Sequence, residues 1–316
     1  MKVLLLGATG TIGRATALAL RGEGHRVACL VRPVASVEAL SGCEVIRGEV
    51  TAAETLRALF QPGRFEAVVS CLASRTGAPE DARAIDRDAH LSVLAAAEAA
   101  GVQRFVQLSA ICVQKPELTF QFAKLAFEER LMASSLTWSI VRPTAYFKSL
   151  SGQVARVQAG KPYLLFGDGR LTACKPISDR DLGAYLASCL TDPERQNRIM
   201  PIGGPGPPIT PLEQGEMLFR LLGQYPRYRR LPIALLSGII GGLNLAGRIS
   251  PSLKAKAELA RIGRYYATES MLLWNAKTEA YDAEATPAFG TETLEDHYLR
   301  LIRGEISDDR GDHAVL

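Results

Sequence analysis

Long apolar runs, clustered metal ligands and paired cysteine motifs are what this chain has little of, and each shortage removes a class of function. Its strongest apolar run, Leu231 to Ala246, is sixteen residues long and carries no charge. That is short of the roughly twenty residues a bilayer-spanning helix needs, and Pro232 and three glycines weaken it further. The run reads as a buried or pocket-covering helix. Its alternative is peripheral contact with a membrane surface, because Arg227, Arg229, Arg230 and Arg248 flank it. Four scattered histidines make no convincing zinc site, so no metal is expected in the protein. Six cysteines, Cys29, Cys43, Cys71, Cys112, Cys174 and Cys189, never fall as C-x-x-C, which points to reduced core thiols in a cytoplasmic protein. The opening apolar run is too short for a secretory leader. A net charge of +4, from 37 basic and 33 acidic residues, is too small a footprint for nucleic acid but suits an anionic small molecule. With 47% hydrophobic and 22% charged residues, the composition is that of a folded globular protein rather than a disordered or fibrous one.

What is present begins at once. Lys2 to Leu6 is a buried-strand run that enters the turn Gly7-Ala-Thr9-Gly10-Thr11-Ile12-Gly13, and Thr11 to Arg21 has helical spacing with Ile12, Ala15, Ala19 and Leu20 inward. A dinucleotide needs that order, because its phosphates must be met by backbone N–H groups at a helix N-terminus. Gly7 would serve the tight turn, Gly10 the approach of the pyrophosphate, and Gly13 the contact of helix with sheet. The spacing is G-x-x-G-x-x-G rather than G-x-G-x-x-G, so the strand and helix around it carry the argument.

Further on, strands are expected over His25 to Arg32, Cys43 to Val50, Glu66 to Ser74, Arg104 to Ala110 and Thr137 to Val141. Helices fall between them at Ala52 to Phe60, Ala82 to Ala100 and Thr119 to Ser134. This alternation predicts an α/β fold, a doubly wound parallel sheet of the Rossmann type. At the tip of the second strand stands Arg32, where an acidic residue would hold the ribose of NAD. An arginine there can bond a 2′-phosphate and favours NADPH. The tip of the fourth strand, Cys71-Leu72-Ala73-Ser74, is expected beside the glycine turn. Beyond residue 150 the alternation fades into a hairpin about Gly167-Asp168-Gly169, helices over Ser178 to Leu190, Leu212 to Leu222 and Lys254 to Tyr266, a Pro/Gly-rich connection at Pro201 to Pro211, and an acidic tail after Glu305. Residues 1–150 are therefore read as the NADPH-binding domain, and 151–316 as a smaller, partly interleaved lobe that takes substrate.

A nicotinamide enzyme also needs groups that fix ribose and supply a proton. In short-chain dehydrogenases these are a serine after the fifth strand and a tyrosine and lysine four residues apart on the next helix. Here Ser109 and Lys124 stand at two of those places, against the plainer readings of a turn serine and a surface lysine, and Phe120 occupies the third. A phenyl ring donates no proton, which disfavours carbonyl chemistry and suits reduction of a carbon–carbon double bond.

The segments VVSCLASRTG, LSAICVQKP, FQFAKLAFE, SIVRPTAYFKSLSGQV, GKPYLLFGDG and ACKPIS between Val68 and Ser178, with PIGGPGPPITPLEQGEMLFRLLG and ATESMLL later, resemble the NADPH-type divinyl chlorophyllide 8-vinyl reductases. These belong to the atypical, NmrA-like or isoflavone-reductase-like short-chain dehydrogenases. The resemblance implies reduction of the 8-vinyl group of a magnesium divinyl tetrapyrrole to ethyl in chlorophyll or bacteriochlorophyll biosynthesis, the magnesium belonging to the substrate. Gly7, Thr9, Gly10, Thr11, Ile12, Gly13 and Arg32 carry over to NADPH, and Lys124 as the retained lysine. Phe120 fits an apolar wall, Tyr146 and Phe147 could stack on the macrocycle, and Lys148, Lys161 and Lys175 are candidate anchors for its propionate. An NADPH-dependent ene or carbonyl reductase of another planar substrate, and a non-catalytic NmrA-like dinucleotide sensor, are the alternatives.

Overall fold

The computed structural model describes residues 1–75, 77–246 and 251–307. They form two compact units interleaved along the chain. The first takes Met1–Ser74, Glu80–Pro143 and Asp179–Ile202, and the second takes Arg75–Pro79, Thr144–Ser178 and the chain from Gly203 onward.

The strands, in chain order, are β1 (Lys2–Leu6), β2 (Arg26–Val31), β3 (Glu44–Arg47), β4 (Ala67–Ser70), β5 (Arg104–Leu108), β6 (Thr137–Pro143), β7 (Tyr163–Phe166), β8 (Arg198–Ile202), β9 (Tyr228–Leu231) and the short antiparallel pair β10 (Leu273–Asn275) and β11 (Ala280–Asp282). Seven of them make the sheet of the first unit in the order β3-β2-β1-β4-β5-β6-β8, and every pairing is parallel. Val3 to Leu6 and Ala67 to Ser70 are wholly buried, as expected for central strands covered on both faces. Helices complete the layers. Leu4, Val68, Phe105 and Ile140 from the sheet share one core with Val93, Leu94, Phe127 and Leu131 from the helices. The chain order reverses between β1 and β4, so a crevice opens at the carboxyl ends of these two strands.

The expected helix Ala82 to Ala100 is a compound one. Pro79–Ala82 is α-helical, Arg83–Ala89 is π-helical, and His90–Ala99 returns to α geometry. The Pro/Gly-rich connection expected from Pro201 needs correction at its start, because Pro201 and Ile202 belong to β8. β8 is the edge of the sheet, paired with β6 alone among the described strands, and an edge strand tolerates the proline that a central strand would not.

In the second unit the hairpin expected about Gly167-Asp168-Gly169 is not formed. Instead β7 pairs in parallel with β9, some sixty residues on, from Tyr163↔Tyr228 to Phe166↔Leu231. Tyr163 and Leu165 alternate inward onto Leu218 and Phe219, whereas the would-be second arm opens with exposed Arg170 and Leu171, and its buried Cys174 pairs instead with Ile209 and Met271. Around this ribbon pack the helices Val154–Gln158, Pro211–Leu221 and Leu294–Ile302. A helix pair, Ile233–Ala246 and Pro251–Thr268, follows, and among the described residues no helix is long and apolar enough to cross a membrane. Arg248 and the acidic tail from residue 308 lie outside the described residues.

Candidate active site

The carboxyl ends of β1 and β4 bring Gly7 and Cys71 together, with the Cys71 N–H donating to the Leu6 carbonyl at 2.9 Å. Gly7 has φ +73°, and a Cβ there would lie 2.5 Å from the Cys71 carbonyl oxygen. A Cβ on Gly13 would lie 2.1 Å from the Gly7 carbonyl oxygen. The protein's own packing therefore demands both glycines. Gly10 is different. Its φ is −72°, and a Cβ there would meet nothing nearer than the Gly7 oxygen at 3.4 Å. Among the described residues nothing else comes within 4 Å of that position, so the space above it is open. Gly10 is also the N-cap of the helix Thr11–Gly22 and brings no side-chain cap, so the positive end of the helix faces that space. The buried Ile12 side chain faces the core, while Thr9 and Thr11 are half-buried at the turn. An open glycine turn at an uncapped helix N-terminus fits the pyrophosphate of a dinucleotide.

Beside the turn lies a cleft of about 310 Å³ lined by Thr9, Arg14, Arg32, Ala35, Ser36, Glu38, Ala39 and Leu40. Arg32, just past the end of β2, is thus joined by Arg14 from the first helical turn and by Ser36. Two guanidinium groups and a hydroxyl are a donor set for a phosphate monoester. Arg47, ending β3, donates to the carbonyls of Pro33 at 2.6 Å and Ala35 at 3.3 Å, which steadies the loop that carries Arg32 and Ser36. The sequence reading missed Arg14 and Ser36, although an arginine directly after Gly13 was a signal within reach.

At the tip of β4 the Cys71 sulfur turns inward, 3.6 Å from Thr16 Oγ1. Burial pushes its thiol up to about 12, so it stays protonated. Cys71 therefore offers a ligand only its backbone, followed by half-buried Leu72 and exposed Ala73. Behind the tip runs a buried polar chain. The Leu72 N–H donates to Ser70 Oγ at 3.3 Å, and Ser70 Oγ lies 2.8 Å from His90 Nε2. His90 Nδ1 lies 2.8 Å from the Ile85 carbonyl, which can only accept, so Nδ1 holds the proton and Nε2 accepts from the serine. Burial, and then the Lys124 charge, lower the His90 pKa to about 4.

Lys124, on the helix Thr119–Met132, is 8% exposed, and its Nζ donates to Asp86 Oδ1 at 2.9 Å. The Ser74 N–H donates to the same oxygen at 3.3 Å. The π-helical stretch delivers this carboxylate, and the sequence reading did not find it. Asp86 Oδ2 and Ser109 Oγ, just after β5, are buried with no hydrogen-bond partner among the described residues. Orphaned polar atoms at a strand tip are expected where a polar ligand supplies the missing bonds. Phe120 is half-buried one turn before Lys124. Gln121 takes the Glu117 and Leu118 N–H groups on Oε1 and donates to the Cys112 carbonyl, fixing the loop ahead of the helix.

The remaining sequence candidates lie in the second unit. Tyr146 is half-buried, but Phe147 is 2% exposed in the core, its ring centroid 5.4 Å from that of His297, so it offers no free face to a macrocycle. Lys148 is half-buried and Lys161 exposed, while Lys175 Nζ donates to the Thr286 carbonyl at 3.0 Å.

A parallel sheet with an open glycine turn leading from its first strand into a helix N-terminus, at the point where the strand order reverses, belongs to the Rossmann class of nucleotide-binding folds. In keeping with this, residues 7–193 match the NAD(P)H-binding family. An NADPH-dependent quinone oxidoreductase from Escherichia coli, solved with NADPH, shares the fold at TM-score 0.70 and 18% identity, over 95% of this chain and 99% of that one. Relatives named divinyl chlorophyllide a 8-vinyl-reductase, chloroplastic, are 47% identical in Zea mays and 46% in Oryza sativa subsp. indica, each over 99% of this chain and 82% of the relative. The chain belongs to the divinyl chlorophyllide a 8-vinyl-reductase family.

Proposed function

We propose that this protein reduces the 8-vinyl group of a divinyl tetrapyrrole, with 3,8-divinyl chlorophyllide a as the representative substrate, to an ethyl group at the expense of NADPH. The substrate is taken from the activity for which the relatives are named. The observation that carries the chemistry is the buried Lys124, held by Asp86, on a helix where Phe120 replaces the proton-donating tyrosine. A carbonyl oxygen must be protonated as hydride reaches it, whereas a conjugated vinyl group spreads the developing charge into its macrocycle and takes a proton on carbon.

The cofactor, when bound, supplies the hydride. The chain's own residues do the holding. The Gly10 cradle and the Thr11–Gly22 helix end meet the pyrophosphate, and Arg14, Arg32 and Ser36 grip the 2′-phosphate. Lys124 and the Ser109 hydroxyl fix the ribose and nicotinamide end, with Asp86 setting the direction of the lysine. Phe120 forms an apolar wall, Tyr146 a surface for the ring, and one of Lys148, Lys161 and Lys175 an anchor for the propionate. Replacing these three lysines singly by alanine should raise substrate KM or loosen the choice of the 8-vinyl over the 3-vinyl group in at least one case. The proposed setting is the cytoplasm beside photosynthetic membranes, in keeping with six free cysteines.

The test is optical. Purified protein with NADPH and divinyl chlorophyllide a should shift the Soret band to the blue and yield an 8-ethyl product two hydrogens heavier. Turnover of simple enones but not of the pigment would replace this reading with a general ene reductase, and NADPH binding without turnover would replace it with a sensor.

A further inference from the structure

The helix Ile233–Ala246 is two-sided in a way its composition hides. Ile233, Leu236, Ile240 and Leu243, at helical spacing, are its covered residues. On the same side Asn244 Oδ1 accepts from Arg261 at 2.6 Å and Ser237 Oγ from Arg264 at 3.5 Å, both on the helix Pro251–Thr268. The opposite side carries Leu235, 47% exposed, and Ile239, 43% exposed, among exposed Ala234, Gly238, Gly241 and Gly242. No polar side chain lies on that outer face among the described residues. An outward helix face of this kind is not one that water selects.

The surrounding charge says what covers it. From Met217 to Ala257 the chain contains no aspartate or glutamate, while seven arginines and lysines fall in the same 41 residues. Arg229 and Arg230, in β9 immediately before the helix, are exposed, and so is Lys256 on the helix that follows. Tyr225 is 92% exposed just upstream, an aromatic of the type that settles at the level of lipid headgroups. A second copy of this chain would set one cationic border against another, whereas an anionic bilayer surface complements both the apolar face and its border.

We propose that the helix Ile233–Ala246 docks on anionic lipid surfaces, its Leu235 and Ile239 side entering the headgroup region while Arg229 and Arg230 pair with the headgroups. This deepens the proposed membrane-side setting, on which it rests, and it stays separable from the reductase activity because lipid binding is measured without pigment or NADPH.

Flotation of the full-length protein with vesicles of phosphatidylcholine alone, or of phosphatidylcholine mixed with phosphatidylglycerol, tests it. The protein should float with the anionic vesicles at low salt, stay behind with the neutral ones, and be released by salt. Arg229→Gln with Arg230→Gln should weaken binding about fivefold per charge removed. Leu235→Ser with Ile239→Ser should weaken it by roughly tenfold through lost apolar burial. Both double variants change exposed side chains, so unaltered thermal melting and NADPH affinity verify that they fold. Failure of the parent protein to float with anionic vesicles, equal flotation with neutral ones, or indifference to either double variant would overturn the proposal. A dimer that dissociates in the Leu235/Ile239 variant, without vesicle binding by the parent, would overturn it in favour of a second copy. Pigment reduction by a protein that never floats would leave the enzyme assignment standing and remove this one.

Discussion

Arg14 and Arg32 are the single side chains proposed to set the choice of nucleotide in this protein. Both line the cleft beside the glycine turn, where the proposed 2′-phosphate would take charge-assisted bonds from them. A charge-assisted hydrogen bond contributes about 1.5–3 kcal/mol. Arg32→Ala should therefore raise the Kd for NADPH roughly ten- to hundredfold while leaving that for NADH nearly unchanged, with Arg14→Ala acting in the same direction; fluorescence titration with the two nucleotides measures the split. Asp86 holds Lys124 through Oδ1, and its proposed role is to position that lysine. Asp86→Asn keeps the shape but strands a buried ammonium, so stability should fall by about 3 kcal/mol or more. In the variant that remains folded, kcat should drop and its pH profile move while NADPH affinity changes less, with partial rescue in Asp86→Glu. Unchanged kcat and profile would show the pair to be structural only. Arg14 was legible in the sequence, since it follows Gly13 directly. Asp86 was not, because π-helical geometry turns Arg83–Ala89 off the α-helical period by which its facing would be judged.

The helix Thr119–Met132 is pinned at two levels, which is why it can carry a charged side chain inward. Gln121 ties its start to the preceding loop, and near its end Glu128, 1% exposed, takes a two-pronged bond from Arg142 of β6. Removing one partner of such a buried pair leaves the other uncompensated, so Glu128→Ala should cost about 3–5 kcal/mol. Thermal denaturation should show the loss, while kcat of the protein still folded stays near that of the parent. The central strands were readable because parallel strands buried on both faces appear as unbroken apolar runs. β8, with Pro201 and exposed Arg198 and Ile199, gives no such signal, and the pairing of β7 with distant β9 depends on what else covers Tyr163 and Leu165. The helix Leu294–Ile302 also went unread.

For the molecule as a whole, acid should act through His90. Its folded-state pKa, near 4, lies below the ordinary 6.5. Between those values the unfolded chain binds a proton that the folded one refuses, so stability rises with pH there and falls as pH drops from 6.5 toward 4. Over the full window the loss is about 3 kcal/mol from this one side chain. Denaturant melts at stepped pH should show the slope, and His90→Asn should flatten it. The scale of the whole chain is also where the sequence reading was coarsest. It could place a nucleotide-binding half near the start, but not the return of residues 179–202 to the first unit, because that return depends on contacts far apart in the chain.

That return has a consequence for how the protein is born. The helix Asp179–Ser188 packs on Thr11–Gly22, and β8 supplies the last rung of the sheet. While the ribosome is still reading the middle of the message, the emerging amino-terminal half has neither. A chain ended after residue 150 should accordingly show no cooperative melt and no NADPH binding, whereas one ended after residue 202 regains every strand of the sheet.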